Sequence, residues 1–126
     1  MSIVNLTPHD IRIRVEDSSE AVELPTDVVI PPSGTIARVS SVSKKVKDLE
    51  GIGIYDVSWG EVVGLPDPQD ETTYVVSSMV ASVVPYRYDL FTPKGEGTIR
   101  FPADHPNERM RGQIFAVRGL QRTVYK

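Results

Sequence analysis

Ile11-Arg12-Ile13-Arg14-Val15 is the stretch on which the fold class turns. Apolar residues at 11, 13 and 15 alternate with guanidinium groups at 12 and 14, the two-residue period of a strand with one face in a core and the other in water. Glu16 to Glu20 then supplies turn residues. Val22 and Leu24 resume the alternation until Pro25, so residues 11–24 read as a hairpin. Val28-Val29-Ile30, Pro31-Pro32-Ser33-Gly34 and Thr35 to Val39 read as strand, rigid turn and strand, because proline fixes φ and glycine supplies positive φ. Ser41 to Glu50 carries Lys44, Lys45 and Lys47, while Val42 and Val46 are too sparse for a helical stripe. A strand or irregular edge guarded by lysines is the better reading. Gly51 to Val63 reads as a further strand pair in which Tyr55, Val57 and Trp59 share one parity and Gly60 permits a bulge.

The C-terminal half continues in the same style. Thr72 to Val76 has the β-branched and aromatic richness of a central strand, and Ser77 is placed to cap a short helix over about residues 78–84 that Pro85 ends. A turn at Pro93 to Gly97 leads into a strand at Thr98 to Phe101. Gln113 to Arg118 suits a strand covered on both faces, and residues 120–125 form a last extended piece. Many short strands between Pro/Gly turns, with one helix, predict a mainly β protein, a small antiparallel β-barrel or sandwich. No period of about 20–50 residues marks a solenoid or propeller.

A chain of 126 residues fits one domain, residues 1–126. Its longest apolar runs are a few residues, so no membrane partner is expected. Met1 to Asn5 has no basic region followed by an apolar one, and there are no cysteines, which suits a cytoplasmic protein held by packing alone. A net charge of −3 argues against a nucleic-acid polymer as partner, yet leaves room for a local cationic pocket.

Catalytic signatures are missing: there is no G-x-S-x-G elbow, no cysteine nucleophile and no H-x-T pattern, so no catalytic residue is assigned. His9-Asp10 and Asp104-His105 set imidazole beside carboxylate, but their spacing matches no ligand motif. No metal is assigned, and a metal-dependent enzyme centred on His9 and His105 is the least favoured reading. Thr7-Pro8-His9-Asp10 reads as a turn, as do Gly51-Ile52-Gly53 and Gly95-Glu96-Gly97. What remains is an inventory of arginines and aromatics. Guanidinium forks bind phosphate and aromatic faces stack on bases, the two elements of a nucleotide pocket. Tyr86-Arg87-Tyr88-Asp89 is the densest case, with Arg87 pairing to Asp89 or Glu96 as its structural alternative. Trp59, the lone tryptophan, stacks on a ligand or anchors a rim, and Arg118 before Gly119 aims into a pocket or caps a sheet edge.

Val4-Asn5-Leu6-Thr7-Pro8-His9-Asp10-Ile11 resembles the opening of small, mostly uncharacterised phage and bacterial proteins that begin with a VNLTPHxI motif. Ile30 to Thr35, Gly64-Leu65-Pro66, Val76 to Ala81, Arg87 to Leu90 and Arg118-Gly119-Leu120 look similar in the same order. The resemblance implies a phage-type accessory protein acting in the cytoplasm of a bacterial host, and it assigns no site residues. Together with the arginines and aromatics it points to a non-enzymatic, cofactor-free binder that sequesters a nucleotide-like ligand, cyclic or of ADP-ribose type, in an anti-defence role. In that reading Arg87 and Arg118 hold phosphates, Tyr86 or Trp59 stacks, and Asn5 and His9 hydrogen-bond to polar edges. The alternative is a protein-interaction or structural β module, a virion component or an inhibitor of a host protein, with exposed strand edges as its interface. A homo-oligomer fits both. Convergence of Asn5, His9, Arg87 and Arg118 on one concavity is what separates them.

Overall fold

The computed structural model describes residues 2–122. Its elements in chain order are β1 (Ser2–Asn5), β2 (Ile11–Ile13), β3 (Val28–Ile30), β4 (Arg38–Leu49), β5 (Ile52–Val63), β6 (Thr72–Val75), α1 (Ser78–Val83), β7 (Leu90–Pro93), β8 (Ile99–Arg100), β9 (Ile114–Ala116) and β10 (Leu120–Gln121). The β-branched run at Thr72 does form an inner strand: the main sheet has the order β1-β6-β7-β10. Ser77 caps α1, its Oγ accepting from the Val80 N–H at 3.3 Å.

Alternation along β6 divides the interior in two. Tyr74 and Val76 join Leu6, Ala37, Val80, Val84 and Leu90 in one cluster, while Val75 joins Ile11, Ile30 and Val117 in another. The sheet is therefore covered on one face by α1 and on the other by the β2–β3 ribbon and the strand end at Val117. A strand buried from both sides is apolar without interruption, which is how Tyr74-Val75-Val76 reads.

The protein is mainly β with one short helix, as expected, but its sheets do not close into a barrel, and the main sheet is not antiparallel throughout. β1 pairs with β6 in parallel, and β6 with β7; β10 alone runs antiparallel, on β7. The reason lies in α1. A parallel return needs a long crossover, and residues 76–89, helix included, provide it.

The expected hairpin over residues 11–24 is replaced by a different pairing. β2 pairs with β3, Ile11 against Ile30 and Ile13 against Val28, and residues 15–27 form a loop. The strand stops because Arg14 turns inward, its side chain wholly buried. Nε donates to Asp27 Oδ1 at 2.7 Å and Nη2 to Asp27 Oδ2 at 3.3 Å. Nη1 donates to the Ser18 and Glu20 carbonyls at 3.1 and 3.0 Å, and Nη2 to the Val22 carbonyl at 2.7 Å. All five N–H groups of a guanidinium are thus used, the condition under which burying the charge is tolerable. Asp27 accepts further bonds from Arg12 Nη1 and the Leu24 N–H. Val15, assigned by alternation to the core, is left 63% exposed. The same rule fails for residues 113–118: Ala116 is buried but Ile114 is exposed, since β9 pairs with β8 in a two-stranded sheet. Of the last extended piece, residues 123–125 lie outside the described residues.

The hydrogen bond from Arg14, against the opposing effect of burial, lowers the Asp27 carboxyl from 3.8 to about 2. A carboxylate depressed in this way stabilises the fold fully above the unfolded pKa and ceases to do so as pH falls through the folded one. The thermal midpoint should therefore drop between about pH 4 and pH 2. Asp27→Asn should melt lower at pH 6 and lose much of that acid dependence. A variant whose midpoint follows the wild-type pH curve in parallel removes Asp27 as its source.

Candidate functional site

Asn5 ends β1 with its side chain buried, and both of its polar atoms are spent inside the fold. Nδ2 donates to the His9 carbonyl at 2.8 Å and the Ile30 carbonyl at 3.0 Å. Oδ1 accepts from the Thr7 N–H at 2.9 Å and from Thr7 Oγ1 at 2.6 Å. Carbonyls only accept and a backbone N–H only donates, so this set also fixes which way the amide points. The opening motif is thereby explained as a side-chain-locked turn that ties β1 to β3. His9 contributes its carbonyl to the lock and leaves its ring exposed.

Arg118 has a comparable task. Nη1 donates to the Glu16 carbonyl at 2.7 Å, and Nη2 to the Ser18 carbonyl at 3.0 Å and Ser19 Oγ at 3.2 Å. It grips from outside the loop that Arg14 fills from inside. Arg87 pairs with Asp89 through two bonds of 2.8 Å and donates to the Pro66 carbonyl at 3.0 Å. This pairing raises the Arg87 pKa and lowers that of Asp89. Tyr86 projects into solvent, 71% exposed, and Trp59 lies on the β4–β5 hairpin.

Of the six candidate residues, Arg87 lines the larger concavity, about 380 Å³, between α1, the turn after it, β7 and β10. Arg122, Tyr88, Gln121 and Ser82 share its wall. Arg122 donates from Nη1 to the Tyr88 carbonyl at 3.2 Å and lies over the Phe91 ring at 5.5 Å. Asn5, His9, Trp59, Tyr86 and Arg118 do not line it. Among the described residues no three His, Asp or Glu side chains gather as a metal centre.

Eight of the exposed large apolar residues lie elsewhere, on β4 and β5. Leu49-Glu50-Gly51-Ile52 closes a two-residue turn with φ of 49° and 83° at its centre, the backbone that joins tightly twisted strands. The lysine-bearing segment is a strand, as read. Residues 51–63, however, are not a strand pair: Gly51 belongs to the turn and Ile52–Val63 form the single strand β5, which runs back along β4. The ladder shifts where Val39 and Ser41 face Val62 and Trp59, with Gly60 in the gap. A Cβ on Gly60 would lie 2.5 Å from Ser40 Oγ, so a side chain there requires the Ser40 hydroxyl to turn aside.

Val39 and Val62 anchor this hairpin against the α1 cluster. Beyond them every residue from 40 to 52 is exposed, an arm about 30 Å long at the usual rise per residue. Tyr55, Val57 and Trp59 line one face, 56%, 60% and 49% exposed, opposite Lys45, Ser43 and Ser41. Val42, Leu49 and Ile52 are exposed as well. A two-stranded hairpin is marginal alone in water, and among the described residues no third strand pairs with this one. Sequence reasoning missed the arm: Gly51 marks a turn, but Glu50-Gly51 is not one of the dipeptides that announce a two-residue hairpin, and residues 41–49 are polar.

No family model, curated protein or solved structure matches the chain.

Asn5→Asp tests the lock without changing its shape. The Ile30 carbonyl loses the Asn5 donor and the His9 carbonyl keeps only Thr7 Oγ1 at 3.2 Å, which costs about 1–3 kcal/mol for a stranded buried group and more for a carboxylate left charged. Urea titration should show the unfolding free energy reduced by about that amount, with the midpoint lowered accordingly. An unchanged midpoint means that the lock contributes nothing to stability.

Proposed function

We propose that this protein is a non-enzymatic interaction or structural module that works by strand addition, with the β4–β5 arm as its contact element. The observation that carries this reading is the arm: a long hairpin, exposed on both faces, with a Tyr-Val-Trp stripe and free edges. Aromatic side chains bury about 150–250 Å² each in an interface, and a standard interface takes about 800 Å² from each partner. Main-chain bonds along an open edge supply affinity, and the stripe supplies selectivity. Such a module suits the phage-type accessory role that the opening octapeptide implies, as a virion component or a ligand of a host protein. Photo-cross-linking in the native host, with benzophenone side chains placed at Val42 and Val57 and, for comparison, at the exposed body residues Val22 and Ile114, tests it. Adducts several-fold stronger from the arm are expected. Equal or absent adducts from the arm remove the reading.

A second reading is supported by the concavity. Among the described residues, Arg87 Nη1 and Arg122 Nε and Nη2 donate to no protein acceptor, and Asp89, which pairs with Arg87, does not itself line the wall. Two guanidinium groups near Tyr88 suit a nucleotide-like anion, cyclic or of ADP-ribose type. Calorimetric titration with ADP-ribose and cyclic dinucleotides should then give saturable heat that Arg122→Ala weakens at least tenfold. No heat at high micromolar ligand dismisses this ligand class.

A further inference from the structure

We propose that the free edge of β5 pairs with β5 of a second copy of this chain, antiparallel about a two-fold axis at Val57, to form a continuous four-stranded sheet. The inference rests on the arm being the contact element, and names what the arm contacts.

Charge selects the edge. β4 carries Lys44, Lys45 and Lys47 against the single carboxylate Asp48, which pairs with Lys45, so two β4 edges brought together would bring an excess of ammonium groups into opposition, a recognised means of blocking strand addition. Between Ile52 and Trp59, β5 carries one charge, Asp56. That edge is open to a partner.

Hydrogen bonding selects the parity. In a two-residue hairpin the closing residues, Leu49 and Ile52, exchange both bonds, and because the ladder shift at Lys45 and Lys47 leaves its extra residue, Val46, on β4, the alternation continues along β5. Ile54, Asp56 and Ser58 point their N–H and C=O groups at β4. Tyr55, Val57 and Trp59 point theirs away from it. A partner strand must therefore meet odd-numbered residues with odd-numbered residues.

Side chains select the register. With Val57 opposite the partner's Val57, Tyr55 faces the partner's Trp59, Trp59 faces the partner's Tyr55, and Asp56 faces the partner's Ser58. Aromatic pairs directly across a ladder are favourable, and no like charges are opposed. Sliding the partner by one step of the permitted parity in one direction sets Asp56 against the partner's Asp56. Sliding it the other way sets Tyr55 against the partner's Glu61 and brings the Gly60 irregularity into the ladder. The stripe Tyr55-Val57-Trp59 reads alike in both directions, aromatic, β-branched, aromatic, which is what a two-fold contact requires of a surface that must match itself. Pairing also raises each hairpin to a four-stranded sheet, beyond the two strands that are marginal alone. Both outer edges are then lysine-bearing β4 strands, so assembly stops at two chains.

The chain has no cysteine, so single substitutions report cleanly. Residues opposed in a hydrogen-bonded pair have Cα atoms about 5.5 Å apart, within the reach of a disulfide at about 4.4–6.8 Å, and the next residue along is out of reach. Mild oxidation of full-length Val57→Cys should give a covalent dimer, twice the 13.9 kDa chain. Asp56→Cys and Ser58→Cys should cross-link when mixed and several-fold less when each is alone, and Lys44→Cys should remain single. Sedimentation of the wild type should show a dimer that Val57→Lys converts to monomer. The variant should retain cooperative unfolding, because Val57 lies in neither core cluster. A wild-type monomer at hundreds of micromolar, or Lys44→Cys cross-linking as readily as Val57→Cys, overturns the proposal. So does Asp56→Cys alone cross-linking as well as the mixture, which would place the strands in another register. Arm adducts in the host that hold a foreign protein and no second copy would overturn the two-fold contact while leaving arm-mediated association standing.

Discussion

Arg14 is the residue around which the N-terminal third is built. Proline and glycine end strands early and leave carbonyls without ladder partners, and every buried carbonyl must find a donor. Arg14 brings five donors on one planar group, satisfies three carbonyls of the 15–27 loop, and keeps two N–H groups for Asp27. Other arginines repeat the device at smaller scale: Arg118 on Glu16 and Ser18, Arg87 on Pro66, Arg100 on Gly112, Arg111 on His105. A chain with 10 prolines, 9 glycines and no cysteines thus fixes its loops with guanidinium groups. The two aromatic contacts of Arg12 and Arg14 with the Phe115 ring fasten the same loop to β9.

That device bears directly on function. An arginine whose hydrogen-bonding capacity is taken up inside the fold is not available to a phosphate, and the sequence offers no sign of which arginines are taken. Arg118 and Arg87 look alike in the chain, one before a glycine and one between tyrosines. The fold commits the first to a loop and brings the second to a concavity, with Asp89 balancing its charge.

The strand-rich class, the short capped helix and the inner β6 strand were legible because each depends on local signals: β-branched runs, an N-cap serine, a terminating proline. Parallel pairing was not legible, since it depends on where β1 and β7 dock, a contact over some seventy positions for Ser2 and Thr72. The inversion at Arg14 was hidden for a related reason. Alternation predicts sidedness from hydrophobicity, and a guanidinium with all of its donors matched behaves as a core group. In the opening motif the cluster of Asn, Thr and His looks chemical, yet Asn5 and Thr7 answer to one another and to two carbonyls. The exposed stripe on β5 was visible as a parity pattern, but nothing in its composition distinguishes a face that packs within the chain from one that meets another chain.

Arg118 reaches the Glu16, Ser18 and Ser19 positions across about a hundred residues of chain, and Ile13 bridges to Val117 beside it. Contacts of such sequence separation form late, because the entropy of closing the intervening loop must be met first. The 15–20 loop is therefore expected to be among the last parts to take shape. The β4–β5 hairpin, closed by a two-residue turn, is the opposite case: its pairing is local and available early. Being marginal alone, however, that hairpin keeps its shape only once Val39 and Val62 have docked on the α1 cluster, so the arm depends on the body that carries it.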